Sequence, residues 1–241
     1  MRIAMRGILK RTLPFMLTAI MVVVLACDDD DNGLQPTDET LIMLVNGSPD
    51  AGGLSLLIDT AEVATNIDFQ EYSPYREVPA GQQDISVELS PTQASIVDTS
   101  VMLDDNAFYS AYTADTIETA SILVLRDDIN EPDTNEVFVR LVHLAPGLGS
   151  IDVSFPGVDT VFAAMSNVDY MGNSSFQEVE AGSYVLQVRP TGTAQDLLTT
   201  PTIEFFEGRN YTVILTGYDG GTGEQALQLD TVVNQLPGVQ P

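Results

Sequence analysis

The sequence predicts an all-β protein: two tandem immunoglobulin-like or prealbumin-like antiparallel β-sandwich domains behind a signal peptide. Three observations predict it. Apolar residues alternate at strand period, as in Ile85-Ser86-Val87-Glu88-Leu89 and Val185-Leu186-Gln187-Val188, and helical spacing is hard to find after Ala26. Blocks of residues recur about a hundred positions apart, which marks a duplicated domain and not a solenoid unit. Turn residues punctuate each copy often enough for about seven short strands.

The chain opens with Arg2, Arg6, Lys10 and Arg11 and no acid, followed by an apolar run from Leu13 to Ala26. A basic stretch before a short apolar one is the pattern of a secretory signal, and the run falls short of the roughly 20 apolar residues a bilayer span needs. It ends in Val24-Leu25-Ala26-Cys27, which resembles the lipobox of bacterial lipoproteins, with Val24 where Leu is more usual. The resemblance implies cleavage before Cys27, diacylation of its sulfur and acylation of the new amine. Cys27 is the one cysteine of the chain, and in an exported protein a lone cysteine is paired between chains, free or modified. Multiple acyl chains give stable anchoring where one is marginal. Residues 1–26 are therefore read as a lipoprotein signal peptide and 27–39 as an acidic tether, kept extended by its like charges. An acidic run at this place resembles the surface-export signal of Bacteroidetes lipoproteins, whereas Asp28 directly after the cysteine resembles the inner-membrane retention signal of enterobacteria.

After Cys27 the composition reverses. Five arginines (76, 126, 140, 189 and 209) face all 35 acids, a net charge of 5 − 35 = −30. Such a chain repels nucleic acid and anionic headgroups, which excludes nucleic-acid binding. Its apolar content of 44% is ordinary for a folded chain. With no further cysteine, each domain must rest on its own apolar core.

The repeat sets the boundaries. Leu44-Val45-Asn46-Gly47-Ser48-Pro49-Asp50 matches Leu141-Val142-His143-Leu144-Ala145-Pro146-Gly147, and Glu77-Val78-Pro79-Ala80-Gly81 matches Glu178-Val179-Glu180-Ala181-Gly182. Ser86 to Pro91 matches Val185 to Pro190, and the segment around Phe108-Tyr109 matches that around Tyr211 with a small slip. The first sandwich repeat spans 40–126 and the second 136–235, joined by a polar, Pro-interrupted linker at 127–135 and followed by a tail at 236–241. Ala-Gly at 80–81 and 181–182 reads as a hairpin turn before a strand. Pro91 and Pro190 end strands because proline donates nothing to a ladder.

Val45 to Ala51, and Val142-His143-Leu144-Ala145-Pro146 followed by Ile151-Asp152-Val153, resemble the Val-His-Ala-Ser-Pro-Asp-Ala opening of domain of unknown function family 4397. That family's second motif is similar to Val78-Pro79-Ala80-Gly81 and, more fully, to Val179 through Pro190. The departures are complementary: the first copy has Asn46 where the second keeps His143, and the second lacks the Ser-Pro-Asp of the first. The resemblance implies an exported, often tandem β-sandwich with no general biochemical activity.

Candidate sites are few. His143 is the only histidine, so a Ser-His-Asp triad would have to use it and a zinc site would hold one imidazole. At the end of a strand beside a turn it reads as a hydrogen-bonded residue that fixes the loop, or as a contact residue. Asp28, Asp30, Asn32, Gly33 and Glu39 have the spacing of a calcium loop, but Pro36 interrupts it and no helix pair flanks it. Calcium is thus the one cofactor the sequence suggests, with the acidic 127–135 segment a second place for it. Neighbouring acids such as Asp104-Asp105 are expected among so many. No Gly-x-Ser-x-Gly elbow is present, and Gly217 to Gly223 reads as a hairpin loop. Tyr72 and Tyr75, in Glu-Tyr-Ser-Pro-Tyr, fall on a predicted loop as a contact patch, while Phe108 and Tyr211 read as core. The function this predicts is non-catalytic: a binding or structural module at the cell envelope, held to a membrane by its lipid and facing an envelope protein or glycan. A cation-dependent adhesion-type protein and, behind it, an envelope hydrolase are the alternatives.

Overall fold

A computed structural model describes residues 39–156 and 165–235, all within one compact unit that spans residues 36–241. Cys27, the lipidation site the sequence predicts, and all of the predicted tether except Glu39 lie outside the described residues. The described chain is built from strands, with a 3-10 turn at Gly223–Gln225.

The first copy has eight strands: β1 (Glu39–Asn46), β2 (Leu54–Ile58), β3 (Ala61–Ile67), β4 (Arg76–Pro79), β5 (Gly81–Leu89), β6 (Ala94–Leu103), β7 (Phe108–Ala114) and β8 (Ser121–Arg126). They form two sheets, ordered β4-β1-β7-β8 and β3-β2-β5-β6. The second copy runs β9 (Glu136–His143), β10 (Ile151–Ser154), β11 (Gly172–Asn173), β12 (Gln177–Glu180), β13 (Gly182–Tyr184), β14 (Gln187–Pro190), β15 (Leu198–Thr199), β16 (Ile203–Phe205), β17 (Asn210–Thr216) and β18 (Gln228–Asn234). Its inner sheet is β11-β9-β17-β18 with β12 also on β9; its outer strands pair as β10-β14-β15 and β13-β16.

Three sequence expectations are corrected here. The sandwiches are antiparallel except for one parallel pair in each copy, β1 with β7 and β9 with β17, because the chain crosses to the other sheet and back between them, as parallel neighbours require. Ala-Gly at 80–81 and 181–182 is not a hairpin. β4 pairs with β1 while β5 pairs with β2 and β6, so the dipeptide is the corner at which the chain changes sheets; Gly81 turns it with φ +97°. Val185 and Leu186 interrupt a strand instead of forming one. Thr200 inserts its hydroxyl to accept from the Leu186 N–H at 2.9 Å, which displaces the ladder between β13 and β14.

Corresponding positions of the two halves share atomic detail. Tyr109 and Tyr211 each open the strand beside the first strand of their copy, opposite Ile42 and Val139. Each phenol oxygen accepts from a backbone N–H five residues upstream, Asp104 at 3.0 Å and Phe206 at 3.1 Å, the corner device of immunoglobulin-type sandwiches. Ser73 and Ser174 accept from the Leu44 and Leu141 N–H groups at 3.0 and 2.8 Å. Asn66 and Asn167 share φ +54°, and Gln70 and Met171 have φ +68° and +56°.

Period-2 alternation then decides where each side chain goes. On β1, Ile42 and Leu44 enter the first sandwich core, while Met43 and Val45 enter a third apolar cluster. On β9, Val139 and Leu141 enter the second sandwich core, while Val142 and Leu144 enter that same third cluster. Tyr75, Tyr112, Ala114, Ile214 and Val232 complete its buried part. The central strands β1, β7, β9 and β17 are therefore buried on both faces, which explains their nearly unbroken apolar runs.

Candidate functional site

Three places in the described structure gather polar chemistry. The first is the loop after the opening strand of each copy. His143, at the end of β9, is buried. Its Nδ1 accepts from the Ala145 N–H at 3.3 Å and its Nε2 faces the Gly149 carbonyl at 3.2 Å. These partners fix the tautomer with the proton on Nε2. Burial lowers its pKa below the ordinary imidazole value; the Gly149 carbonyl and Asp169 oppose this in part. Asn46 occupies the same place in the first copy and does the same work. Its Oδ1 accepts from the Ser48 N–H at 3.0 Å, and its Nδ2 donates to the Ala51 carbonyl at 2.9 Å and the Ile67 carbonyl at 3.0 Å. Each side chain thus offers one acceptor to the N–H two residues on and one donor to a carbonyl at the far end of the loop. Neither ring nitrogen of His143 is left to take a proton from a substrate.

The second place lies where the copies meet. Arg140 on β9 and Asp127, just past β8, form a buried ion pair, with side chains 2% and 0% exposed. The guanidinium also donates to the Thr212 hydroxyl (2.9 Å), the Tyr112 phenol (2.9 Å) and the Arg126 carbonyl (3.2 Å). Its face lies over Phe176, 4.7 Å from the ring centre. The second Asp127 oxygen accepts from Tyr75 and Ser110, both at 2.6 Å. Asn234 closes the network, donating to the Tyr75 oxygen at 3.0 Å and accepting from Thr212 at 2.6 Å. Burial, reinforced by Asp127, drives the Tyr75 phenol far above its ordinary pKa; burial also raises that of Tyr112, against Arg140. For Arg140 burial acts to lower the pKa, but Tyr112 and Asp127 outweigh it and hold the group above its ordinary value. This arrangement holds charge still and offers no open position to a reactant.

The third is a cleft of about 970 Å³ between the edge strands β3 and β4 of the first copy. Ile58, Val63, Ile67 and Val78 line its apolar part, and Asp59, Glu62, Arg76 and Glu77 stand at its polar part. Its size suits a ligand site, yet no histidine, cysteine or serine–base pair lines it. Register shifts in the β2–β3 pairing and the charges on both edges blunt them against addition of a further strand.

The candidate residues from the sequence are scattered. Tyr72 is 38% exposed and bridges to Val45. Tyr75 is 6% exposed, so it is no surface contact residue: its ring meets Phe108 edge-on at 5.6 Å and its hydroxyl is needed by Asp127. Tyr72 and Tyr75 therefore do not form a shared patch. Glu39 opens β1 opposite Pro79; Cys27, Asp28, Asp30 and Asn32 lie outside the described residues. The 127–135 segment is mostly exposed, as its composition suggests, but it is pinned at three points. Asp127 is consumed by Arg140, Ile129 packs against the third apolar cluster, and the Asn130 carbonyl accepts from Asn210 at 2.9 Å. Among the described residues no three of His, Cys, Asp and Glu come together as an ion site. The Gly217 loop is a hairpin between β17 and β18, as expected. Arg140 and its network were missed, although one signal was present: an arginine within Val137-Phe138-Val139-Arg140-Leu141-Val142, apolar on both faces, needs a buried partner.

Residues 40–154 match the model of the domain of unknown function DUF4397, from the first strand through the opening strands of the second copy. No curated protein matches. Solved structures similar in part include CBMbc (family CBM26) from Eubacterium rectale Amy13K in complex with maltoheptaose, at 11% identity, 83% of this chain, 98% of that chain and a TM-score of 0.28. A streptococcal virulence factor described by its α-glucan binding aligns at 8% identity over 76% and 94% of the chains, with a TM-score of 0.27. A Parabacteroides distasonis protein, provisionally described as a cell adhesion protein, aligns at 10% identity over 81% and 98%, with a TM-score of 0.22. At such scores the likeness says nothing about ligands.

Proposed function

We propose that this chain is an exported lipoprotein, anchored through Cys27, whose paired sandwiches have a non-catalytic binding or structural role at the cell envelope. The anchor rests on the basic start, the short apolar run and Val24-Leu25-Ala26-Cys27. The non-catalytic part rests on one observation: the only histidine has both nitrogens engaged in holding a loop, and its counterpart Asn46, which cannot serve as a base, holds the equivalent loop. The division into repeats at 40–126 and 136–235 and the choice of an envelope protein or glycan as partner belong to the same proposal. The cleft beside β3 and β4 is the surface best shaped for such a partner.

Fractionation of cells expressing the chain and its Cys27→Ala variant tests the anchor. The expected result is membrane association and an acyl mass gain that the variant loses. A variant that still sediments with membranes and shows the same mass would end the lipoprotein reading. Protease shaving of intact cells then decides the face, and pull-down from that face identifies the partner. The acidic spacing of Asp28, Asp30, Asn32 and Glu39 carries the cation-dependent alternative. Calorimetry of the mature chain with calcium tests it, and absence of binding heat removes it.

A further inference from the structure

The two inner faces that meet between the copies are related position by position. Met43 corresponds to Arg140, Val45 to Val142, Ser110 to Thr212, Tyr112 to Ile214, Tyr75 to Phe176 and Asp127 to Asn234, as the strand registers and the shared Asn46–His143 and Tyr109–Tyr211 positions require. The hydrogen bonds repeat as well: Ser110 donates to Asp127 and Thr212 donates to Asn234, both at 2.6 Å. The strands of both faces run the same way. Gly47, past the end of β1, abuts Leu144, just past β9, and Thr216 at the end of β17, while Arg140, midway along β9, reaches the carbonyl of Arg126, which pairs with Tyr109 near the start of β7. The interface thus has approximate two-fold symmetry, which charge breaks at one pair of positions. The first face carries a buried anion and methionine, the second a buried cation and asparagine.

We propose that this charge asymmetry addresses the pairing: each inner face accepts the face of the other repeat and rejects a second copy of itself. Two first-copy faces brought together would enclose two Asp127 carboxylates opposite two methionines. Two second-copy faces would enclose two Arg140 guanidinium groups opposite two asparagines. A buried charge without its counterion is strongly disfavoured. Of the other positions, Val45 and Val142, Ser110 and Thr212, and Tyr75 and Phe176 match in size, while Tyr112 against Ile214 and Gly47 against Leu144 differ. Without the ion pair only those two differences in size would oppose like-with-like pairing, which in a two-repeat chain leaves a free face at each end and propagates. The partner that fits each face is therefore the opposite repeat, and the ion pair excludes neighbouring copies of the same chain.

The test uses the mature chain with Cys27→Ala, refolded from denaturant at high concentration and read by light scattering after size exclusion. The double variant Asp127→Asn with Arg140→Met makes both faces methionine–asparagine. It is expected to give a ladder of oligomers, several-fold more abundant than in the parent, which stays monomeric. Asp127→Asn alone frees only first-copy faces and Arg140→Met alone only second-copy faces, so each is expected to stop at dimers. A double variant that folds and stays as monomeric as the parent overturns the proposal. If the double variant does not fold, Met43→Arg with Asn234→Asp decides, since it gives each face both charges and strands neither: oligomers sustain the address, and a folded monomer or an unfolded chain overturns it.

Discussion

Replacing His143 by asparagine and by alanine separates loop-holding from chemistry. His143 supplies one acceptor to the buried Ala145 N–H and one donor to the Gly149 carbonyl, at 3.3 and 3.2 Å. Alanine leaves that N–H without a partner, at about 1–3 kcal/mol, and leaves space where the ring was; the Gly149 carbonyl, at the exposed side of the loop, can turn to water. The expected loss is about 2–4 kcal/mol. Asparagine supplies the acceptor and donor that Asn46 supplies at 3.0 and 2.9 Å, and its shorter reach toward Gly149 should hold the loss to about 1 kcal/mol. Urea titrations give both numbers. The pH dependence adds a second reading. The folded pKa of His143 lies below its ordinary value because the ring is buried. The unfolded chain therefore binds more protons, and stability falls as pH drops through the unfolded value of about 6.5 toward the folded one. Both substitutions should remove that slope. Asp230, whose burial raises its pKa, contributes with opposite sign and is common to all three chains, so it cancels in the comparison. An alanine variant as stable as the parent, or a slope that survives the loss of the ring, would refute the loop-holding account.

Arg140→Met and Asp127→Asn should each cost about 3–5 kcal/mol in urea unfolding, because each strands a buried charge, while the double variant should lose less than either single one; additive losses would show that the pair is not coupled. Tyr109→Phe and Tyr211→Phe should cost about 1 kcal/mol each, equally and additively, since each removes one acceptor from one backbone N–H; thermal melts of the single and double variants check this. Gly217→Ala should destabilise by about 1–3 kcal/mol or more, because φ is +79° and a Cβ would stand 2.1 Å from the Ala226 carbonyl oxygen. Gly81→Ala, at φ +97° in open space, should cost less, and equal losses in chemical denaturation would contradict the steric part of the argument.

What was legible in the sequence was what local chemistry decides. The alternation of Ile85, Val87 and Leu89 forecast β5, and the place of Asn46 and His143 at the end of a strand beside a turn forecast the loop each side chain holds. What was not legible depends on contacts far apart in the chain. Tyr75 sits in Glu-Tyr-Ser-Pro-Tyr, as loop-like a stretch as Tyr72, and the difference between them is made by Asp127 and Asn234, the latter 159 positions away. Asp127 looked like one more acid in a solvated linker because its counterion lies in the next strand, beyond the reach of composition. The Ala-Gly corners looked like hairpins because a hairpin and a change of sheet use the same residues locally and differ only in which strand lies alongside.

The distribution of differences between the copies bears on where a partner can act. Inside each sandwich the copies agree: Ser73 with Ser174, Tyr109 with Tyr211, Asn66 with Asn167. On the facing surfaces they diverge at Met43 against Arg140, Asp127 against Asn234 and Gln70 against Met171. A duplicated domain whose copies served two separate ligands would be expected to differ in its outer loops and clefts, with the inner faces free to stay alike. Here the inner faces carry the charge that tells one copy from the other, and pairing uses them up. Recognition of anything else is left to the outer sheets and to the acidic cleft between β3 and β4, where Arg76 is the one cation among Asp59, Glu62 and Glu77. A partner with cationic or hydroxyl-rich chemistry suits that edge, and an anionic one would meet the net negative charge of the chain.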